Sequence, residues 1–311
     1  MRRAAVPTAR TPRTVSSERT VKAPNFFILG APKCGTTSLA AWLAAHPNVY
    51  MSPLKEPAYF AADLKVARPN RVEYRALFSA AGDVHLAVGE ASTCYLFSQV
   101  AVSNILERVT EPRFVVCLRN PIEMARSLHQ QEVFGLNEDV CSFESAWRLQ
   151  ETRRAGQSIP RTCPEPWLLR YEERCLLGEQ VERLLRQTSR ERVLFVLLED
   201  VQADPRTEYL RVLQFLDLPD DRRMDFPVLH RAKEAKSRVV KEGVIYLARL
   251  KWSLGIRRRF RIRPTLEKWN TREAPRKAIG EDTKRELRHC FAADVLKLGA
   301  LLNRDLTPWL A

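Results

Sequence analysis

Short runs of apolar residues alternate along the chain with segments whose apolar residues recur at helical spacing. The apolar runs are continuous, as in strands buried in a parallel sheet, and lie at 25–30, 84–89, 113–118 and 193–198. The helical segments lie at 36–45, 70–80, 98–109, 122–133, 142–155, 166–187 and 281–302. This alternation is typical of an α/β fold with helices flanking a parallel β-sheet. Since no internal repeat or linker divides the chain, we expect a single domain.

Two segments depart from this pattern. Residues 1–22 are rich in Arg, Pro, Thr and Ser, which predicts a disordered basic tail before a domain at 23–311. Residues 219–280 are basic and have no clean period, and we interpret them as a variable segment within that domain. Most of the excess of Lys and Arg over Asp and Glu, which gives the net charge of +14, lies in these two segments. Such an excess is explained either by an anionic partner or by solvated surface charge alone.

Composition limits the classes of partner. With 45% hydrophobic and 28% charged residues, the 311-residue chain can bury a sizeable core. No apolar run reaches the roughly 18 residues of a membrane span, and no secretory signal precedes the domain, so we expect no transmembrane segment. Aromatic residues do not interleave with the basic clusters, so we expect no nucleic-acid partner. Peripheral contact of the basic segments with an anionic surface stays open.

The seven cysteines are scattered, odd in number and without a C-x-x-C pair. This usage argues against a disulfide framework and against a zinc site, and we expect no metal. Cys34 differs from the others because it lies in a glycine-bounded loop before a helix. A helix N-terminus at that place is expected to lower the pKa of its thiol, although we interpret the residue as a small filler.

The stretch 25–39 reads as a strand, a glycine-bounded loop and the start of a helix, which is the geometry of a phosphate-binding loop. Gly30 and Gly35 have the separation of the glycines in a nucleotide triphosphatase loop. Thr36, however, stands where such an enzyme places the lysine that reaches the β- and γ-phosphates, and Lys33 lies inside the loop instead. The spacing therefore predicts binding of a phosphate-like group and fits ordinary ATP or GTP hydrolysis poorly.

The motif P-K-C-G-T-T at 32–37 resembles the loop of sulfotransferases that use 3′-phosphoadenosine 5′-phosphosulfate (PAPS). The resemblance implies a P-loop-like parallel sheet and a donor 5′-phosphosulfate held without metal by Lys33, Cys34, Gly35, Thr36, Thr37 and Ser38. It also implies that Lys33 is catalytic and neutralises charge on the departing nucleotide.

The segment 52–60 contains Lys55-Glu56-Pro57 between two prolines, so it is ordered and not helical. It resembles the K-E-P segment of the bacterial and heparan-sulfate branches of the same family. The resemblance implies that Glu56 is the general base that takes the acceptor's proton, and that Lys55 lies on the substrate side. The segment 89–96 resembles the family's G-E-x-S-P-x-Y-L pattern without its proline. Glu90 is therefore either a substrate-side or a structural residue.

Arg119-Asn120-Pro121 follows the third apolar run, and Ser127 follows Arg119 at a distance of eight residues. In the sulfotransferase family, an arginine and a serine with this spacing bind the nucleotide 3′-phosphate. The spacing is physically reasonable, because Ser127 lies about two helical turns after a strand-end arginine. The family often follows the serine with His-Tyr, whereas this chain has Leu128-His129, and we retain His129 as a tentative substrate-side residue.

Later segments carry weaker resemblances. Residues 198–205 resemble an L-x-E-D-L-x-x-D-P segment that we interpret as structural, and 303–310 resemble a common bacterial ending. A late basic loop usually closes over the nucleotide in this family. The candidates for that loop are Lys233, Lys236, Arg238 and Lys241.

The resemblance, which spans about 25–310, predicts a cytoplasmic and bacterial PAPS-dependent sulfotransferase acting on a hydroxyl or amine acceptor. Carbohydrate is the first acceptor class we consider, and lipid or small-metabolite hydroxyls stay open. A P-loop kinase for a small molecule is one alternative, although it needs a lysine after Gly35. A non-catalytic protein that binds an anion or a glycan is the other.

Overall fold

A computed structural model describes residues 22–229, 233–235, 271–273 and 279–311, with backbone alone at 233–235 and 271–273. The predicted disordered tail lies outside the described residues except for Lys22. Among the candidates for the basic loop, Lys236, Arg238 and Lys241 lie outside them as well, and Lys233 is described by its backbone alone. Much of the predicted variable segment is therefore not part of the structure described below.

Five parallel strands form the central sheet. They are β1 (Phe26–Gly30), β2 (Val49–Met51), β3 (Ala87–Ala91), β4 (Arg113–Leu118) and β5 (Val193–Leu197). Their order across the sheet is β2-β3-β1-β4-β5, so β1 is the middle strand, between β3 and β4. Every residue of β1 is buried, which is why this strand reads as a continuous apolar run. The α/β fold with a flanked parallel sheet, predicted from the sequence, is confirmed.

The strand predicted at 84–89 lies instead at β3, and the reason is the register with β1. Gly89 pairs with Phe26, and a Cβ at Gly89 would lie 2.3 Å from the Phe26 ring. The glycine thus leaves the space that the ring fills. Val84 and Leu86 lie before the strand and are exposed, whereas the charged Glu90 lies within it and is fully buried. An apolar run alone placed the strand three residues too early.

Helices flank the sheet. They are α1 (Thr36–Ala44), α2 (Arg71–Ala76), α3 (Ala101–Leu106), α4 (Pro121–Gly135), α5 (Phe143–Arg148), α6 (Gln150–Arg154), α7 (Tyr171–Cys175), α8 (Leu177–Leu185), α9 (Leu198–Ala203), α10 (Pro205–Phe215) and α11 (Glu281–Leu302). Short 3₁₀ turns lie at Pro166–Leu169, Arg190–Arg192 and Thr307–Leu310. The helices predicted at 142–155 and 166–187 are each broken. Leu149 separates α5 from α6, and Leu176, with ψ of 74°, separates α7 from α8.

A second, antiparallel pair of strands was not predicted. It consists of β6 (Lys233–Ala235) and β7 (Thr271–Glu273), whose backbones pair from Lys233 with Glu273 to Ala235 with Thr271. Strand β6 lies against α4, the helix that begins two residues after Arg119. A short strand in a basic, aperiodic segment leaves little trace in an apolar pattern.

The end of the chain supports the start of α4. The side chain of Asn120 accepts a hydrogen bond from the amide of Ile122 and donates one to the carbonyl of Trp309 at 3.0 Å. Arg304 pairs in bidentate fashion with Asp200 of α9. The Arg304–Asp200 pair thus joins the two late segments that resemble family motifs, 198–205 and 303–310. The hydrogen bond from Asn120 to Trp309 then connects them to the turn that follows β4.

Candidate active site

A cavity of about 1180 Å³ opens at the carboxyl ends of the strands. The segments that follow β1, β3, β4 and β5 all contribute to its wall, as expected for a parallel sheet. Residues from the predicted site that line it are Lys33, Gly35, Thr36, Thr37, Ser38, Lys55, Glu56, Arg119 and Ser127. The fold therefore brings most of the predicted site residues together around one space.

The loop after β1 requires glycine at both of its ends. Gly30 has φ of 142°, and a Cβ there would lie 2.7 Å from the carbonyl oxygen of Thr93. Gly35 immediately precedes α1 with φ of 84°, a left-handed conformation that side chains disfavour. Both glycines thus serve the backbone path of the loop, which brings the chain from the sheet to the start of α1.

The first turn of α1 has no side-chain cap. The amides of Ser38 and Leu39 donate to the Gly35 carbonyl, at 3.0 and 3.2 Å. Within the described ranges, the amides of Thr36 and Thr37 have no acceptor. Uncapped amides at the positive end of a nine-residue helix favour an anion, so this end of the cavity suits a phosphate-like group.

Lys33 is the cation of the loop. Burial lowers the pKa of its ammonium, and the neighbouring Arg119 guanidinium lowers it further. No carboxylate of the described part of the chain lies within ion-pair distance of Lys33. A partly desolvated positive charge of this kind is stabilised by a bound anion, because the anion restores the charged form of the amine.

Cys34 faces away from this cavity and into the core. Its thiol is 3.4 Å from the carbonyl oxygen of Pro32 and 3.9 Å from the sulfur of Met124. The expectation that a helix N-terminus lowers its pKa is wrong, since burial raises the pKa of the Cys34 thiol well above its ordinary value. The interpretation of Cys34 as a small filler fits this environment.

Two arginines line the cavity, Arg119 in the turn between β4 and α4 and Arg126 within α4. Arg119 donates to the carbonyl of Lys33 at 3.3 Å, so the guanidinium touches the loop that follows β1. Glu123 lies 3.3 Å from Arg119 and 3.2 Å from Arg126, and Ser127 lies on the same wall. Sequence reasoning missed Glu123 and Arg126. The signal that could have found them is spacing: Glu123 lies four residues after Arg119 and three residues before Arg126 at the start of α4.

Glu56 is held in a defined orientation. The backbone amide of Thr93 donates to its carboxylate at 2.7 Å, and the Thr93 hydroxyl donates at 3.1 Å. The Lys55 ammonium lies 3.3 Å from the same carboxylate and donates to the Thr37 hydroxyl at 2.6 Å. Lys55 thus connects Glu56 to the first turn of α1. The carboxylate and the helix N-terminus face one cavity.

Glu90 lies beneath this region and does not line the cavity. Burial raises the pKa of the Glu90 carboxyl to about 7, although hydrogen bonds from Tyr74, Ser92 and Tyr95 act in the opposite direction. The three hydroxyl groups donate at 2.6, 2.8 and 2.9 Å respectively. A direct contact of Glu90 with a substrate stays a prediction that this placement does not favour.

His129 likewise does not line the cavity. Its Nε2 lies 2.8 Å from the carbonyl oxygen of Val140, and the ring packs against Phe143 and Tyr171. Burial lowers the pKa of His129. These contacts are those of a structural histidine, and its tentative substrate-side role gains no support from them.

The segment 226–229 crosses the start of α1. The amide of Leu229 donates to the Ser38 hydroxyl at 2.9 Å, and Trp42 donates from its ring nitrogen to the Pro227 carbonyl. The rings of Trp42 and Phe226 meet edge to face at 5.1 Å. The Ser38 side chain thus anchors this segment to α1, a role that its position in the motif did not suggest.

Aromatic residues form another part of the wall. The rings of Phe97 and Trp167 stack with centroids 5.6 Å apart and planes 22° apart. Arg174 lies over the Trp167 ring at 5.3 Å and pairs with the buried Glu132 at 3.1 Å. Neither aromatic residue was singled out from the sequence, because 70 positions separate them along the chain.

The described ranges contain neither a cluster of metal ligands nor a helix suited to cross a membrane. Across 22–229 and 279–311, no group of three or more His, Cys, Asp or Glu residues is placed to hold a metal ion. Among the helices of the described residues, none is both long and apolar enough to cross a membrane.

Comparison with known proteins identifies the family. A family model described as "Sulfotransferase domain" matches residues 23–241. The chain belongs to the sulfotransferase family. The crystal structure of a sulfotransferase from Alicyclobacillus acidocaldarius resembles this sulfotransferase with a TM-score of 0.71 and 26% identity. The match covers 94% of this chain and 100% of that chain.

Curated relatives match over smaller shares. The sulfotransferase is 24% identical over 209 residues to the bifunctional heparan sulfate N-deacetylase/N-sulfotransferase 1 of Caenorhabditis briggsae, covering 63% of this chain and 23% of that protein. A stretch of 37 residues is 51% identical to carbohydrate sulfotransferase 15 of Homo sapiens, covering 12% of this chain and 7% of that protein. The chain therefore spans less than a quarter of the length of these relatives.

Proposed function

We propose that this sulfotransferase moves the sulfuryl group of PAPS to a hydroxyl or amine of an acceptor by in-line transfer, with Glu56 as general base. The observation that carries the proposal is the shared cavity, where an uncapped helix N-terminus, Lys33 and Arg119 face the same space as the Glu56 carboxylate. Anion-binding groups and a base are the two requirements of such a transfer.

The donor half of the cavity fits a nucleotide with two anionic groups. The amides of Thr36 and Thr37 and the Lys33 ammonium suit the 5′-phosphosulfate, and Arg119 and Ser127 suit the 3′-phosphate. Bound PAPS supplies an activated sulfuryl group whose leaving nucleotide gains negative charge. Lys33 stabilises that charge, and its desolvated ammonium does so more strongly than an ammonium in water.

Glu56 takes the proton of the attacking hydroxyl or amine. Its two hydrogen bonds from Thr93 fix the carboxylate, and the remaining acceptor capacity faces the cavity. Lys55, which bridges Glu56 and Thr37, positions the base relative to the loop. The protein's contribution is thus orientation and electrostatics more than covalent chemistry.

A carbohydrate is the acceptor class that we propose. Both curated relatives named above carry a saccharide in their names, one heparan sulfate and the other carbohydrate. The stacked rings of Phe97 and Trp167 on the cavity wall suit the apolar face of a sugar ring.

The first test is nucleotide binding measured by calorimetry. Adenosine 3′,5′-bisphosphate is expected to bind far more tightly than 5′-AMP, because Arg119 and Ser127 recognise the 3′-phosphate. Equal affinities for the two nucleotides would remove these residues from that role.

The second test is sulfate transfer from labelled PAPS to a panel of acceptors in the presence of EDTA. A de-N-sulfated heparan sulfate oligosaccharide and a simple phenol are the informative members. Transfer to the oligosaccharide without metal is the expected result. Loss of turnover on chelation, restored by Mg²⁺, favours the kinase alternative, and nucleotide or glycan binding without any transfer favours the non-catalytic alternative.

A further inference from the structure

Three hydroxyl groups from two elements converge on one buried carboxylate beneath the candidate active site. Tyr74 and Tyr95 both donate to Oε1 of Glu90, at 2.6 and 2.9 Å, and Ser92 donates to Oε2 at 2.8 Å. The carboxylate is fully buried. Burying a charge in a sheet is costly, and three charge-assisted hydrogen bonds offset part of that cost.

Two of these hydroxyl groups also contact the segment that carries Glu56. The Ser92 hydroxyl accepts a hydrogen bond from the amide of Ala58 at 3.0 Å, and the Tyr95 hydroxyl accepts one from the amide of Phe60 at 3.3 Å. A hydroxyl that donates to a carboxylate presents its lone pairs to other donors. Glu90 therefore fixes the direction in which Ser92 and Tyr95 can accept.

The segment that these two hydrogen bonds hold, residues 56–60, has an unfavourable backbone conformation. Glu56 and Ala58 both have positive φ, 60° and 50°, in a region that residues with a Cβ disfavour. Such conformations persist only where the surroundings impose them. The amide of Glu56 adds a third anchor, since it donates to the carbonyl of Ala91 at 3.0 Å.

We propose that Glu90 is a positioning residue for the general base, acting through Ser92 and Tyr95 on the backbone of residues 56–60. This inference rests on the proposed role of Glu56. Tyr74 completes the set of hydrogen bonds to Glu90 but contacts no atom of the base segment through its hydroxyl. The chain thus offers two tyrosines that donate to the same carboxylate oxygen. Both pack their rings against the segment, but only Tyr95 forms a hydrogen bond with its backbone.

Glu90 is also coupled by charge to the base segment. Burial is the main cause that raises the pKa of the Glu90 carboxyl, and the nearby charge of Glu56 adds to it. The other titratable groups facing Glu90 are Tyr74 on α2 and Tyr95 and Cys94 after β3, and burial raises the pKa of each. These three groups stay neutral near pH 7, so Glu90 is the member of this cluster that titrates there.

The matched pair Tyr95→Phe and Tyr74→Phe tests the geometry. Each variant removes one hydroxyl from Glu90 and keeps the ring, and only Tyr95→Phe removes the contact with Phe60. We expect Tyr95→Phe to lower kcat about tenfold with a de-N-sulfated heparan sulfate oligosaccharide, the worth of one hydrogen bond of ordinary strength. Tyr74→Phe is expected to change kcat less than about threefold. Affinity for adenosine 3′,5′-bisphosphate stays unchanged in both.

Two further readouts separate positioning from general destabilisation. Hydrogen exchange at the amides of Ala58 and Phe60 is expected to accelerate in Tyr95→Phe and in Ser92→Ala and to stay as in wild type in Tyr74→Phe. In a Glu56→Gln background, Tyr95→Phe is expected to cost little more, because the base it positions is already absent.

The possible failures are distinguishable. Equal losses of kcat in the two tyrosine variants, or unchanged exchange at Ala58 and Phe60 in Tyr95→Phe, would overturn the positioning role. Full additivity of Tyr95→Phe with Glu56→Gln would overturn it as well. Wild-type turnover in Glu56→Gln alone would instead overturn the proposed base, and the exchange measurement would still report whether the backbone link exists.

Discussion

The donor half and the base half of the cavity are built in different ways. The donor half comes from two local units, the loop that joins β1 to α1 and the turn that joins β4 to α4, with their groups set by short spacing. The base half is assembled from 55–60, 92–97 and 167–174, which are joined by side-chain hydrogen bonds and ring contacts. The comparison predicts that the proposed proton transfer depends more on contacts between distant segments than donor binding does. The donor half has such contacts too, since Trp309 holds the turn after β4.

The two halves also differ in charge. Two cations dominate the donor half: Lys33, which is partly desolvated, and Arg119, which pairs with Glu123. Carboxylates, Glu56 and the buried Glu90, dominate the other. A substitution on one side should therefore change nucleotide affinity, and a substitution on the other side should change turnover at constant affinity.

The largest expected effect is that of Glu56→Gln, which keeps the shape of the side chain but cannot accept a proton. Turnover in single-turnover sulfate transfer should fall roughly 10²–10⁴-fold, the usual worth of a general base. Nucleotide affinity by calorimetry should barely change. Lys33→Ala should lower turnover and also loosen the nucleotide, because its ammonium serves the donor half.

Glu111→Gln is the control for this comparison, since Glu111 is an exposed carboxylate paired with Arg192. It should leave both measurements unchanged. If Glu56→Gln loosened the nucleotide as much as Lys33→Ala does, the division between the two halves would be wrong.

The next effect concerns the pH dependence of stability. Burial raises the pKa of Glu90 to about 7 from an ordinary 4.5, so the folded state binds this proton more tightly than the unfolded state. Its contribution to stability is fully present below about pH 4.5 and is lost as the pH rises through 7. Relative to Glu90→Gln, the free energy of unfolding of the wild type should fall by about 3 kcal/mol across that window.

Denaturant unfolding at a series of pH values measures this difference. Asp204, Asp220 and other surface groups titrate equally in both proteins, so subtraction isolates Glu90. A difference that is flat between pH 4.5 and 7, or that rises with pH, would contradict the raised pKa.

A smaller effect is expected on the donor side from Arg119→Ala. Affinity for adenosine 3′,5′-bisphosphate should fall by about 1.5–3 kcal/mol, the range for hydrogen bonds to charged groups. Affinity for 5′-AMP should change much less, because the lost partner is the 3′-phosphate. Arg186→Ala, at an exposed position on the end of α8, is the control. A loss of the same size for both nucleotides would place Arg119 elsewhere in the site.

The smallest effect sharpens the acceptor side. Trp167→Ala removes the ring that stacks on Phe97 and should raise KM for a saccharide acceptor about two- to twelvefold. That factor corresponds to the roughly 0.5–1.5 kcal/mol that an aromatic contact contributes beyond the area it buries. Nucleotide affinity should not change, and Trp167→Phe should recover most of the loss. An unchanged KM in Trp167→Ala would remove the ring pair from acceptor binding.

Local spacing explains which site residues the sequence could predict. Gly35 and Thr36 follow a buried strand within six residues, and Ser127 follows the strand-end Arg119 by about two helical turns, so short spacing in the sequence predicts where each of them lies. Glu56 was found through a motif, and its contact with Thr93 came only from the fold. Ser38 was assigned to the donor through the resemblance of the loop at 32–37, whereas in the structure its hydroxyl accepts a hydrogen bond from the Leu229 amide.

By itself, the sequence determined the alternation of strands and helices, the phosphate-binding loop and the strand-end arginine, because each depends on residues within about ten positions. Only the tertiary structure decided the register of β3, the buried environment that raises the pKa of Cys34, and the hydrogen bonds that join Glu90 to the base segment. The physical reason is that burial and hydrogen bonding depend on which distant segments meet. That meeting is fixed by the packing of the whole sheet, and no short stretch of sequence contains it.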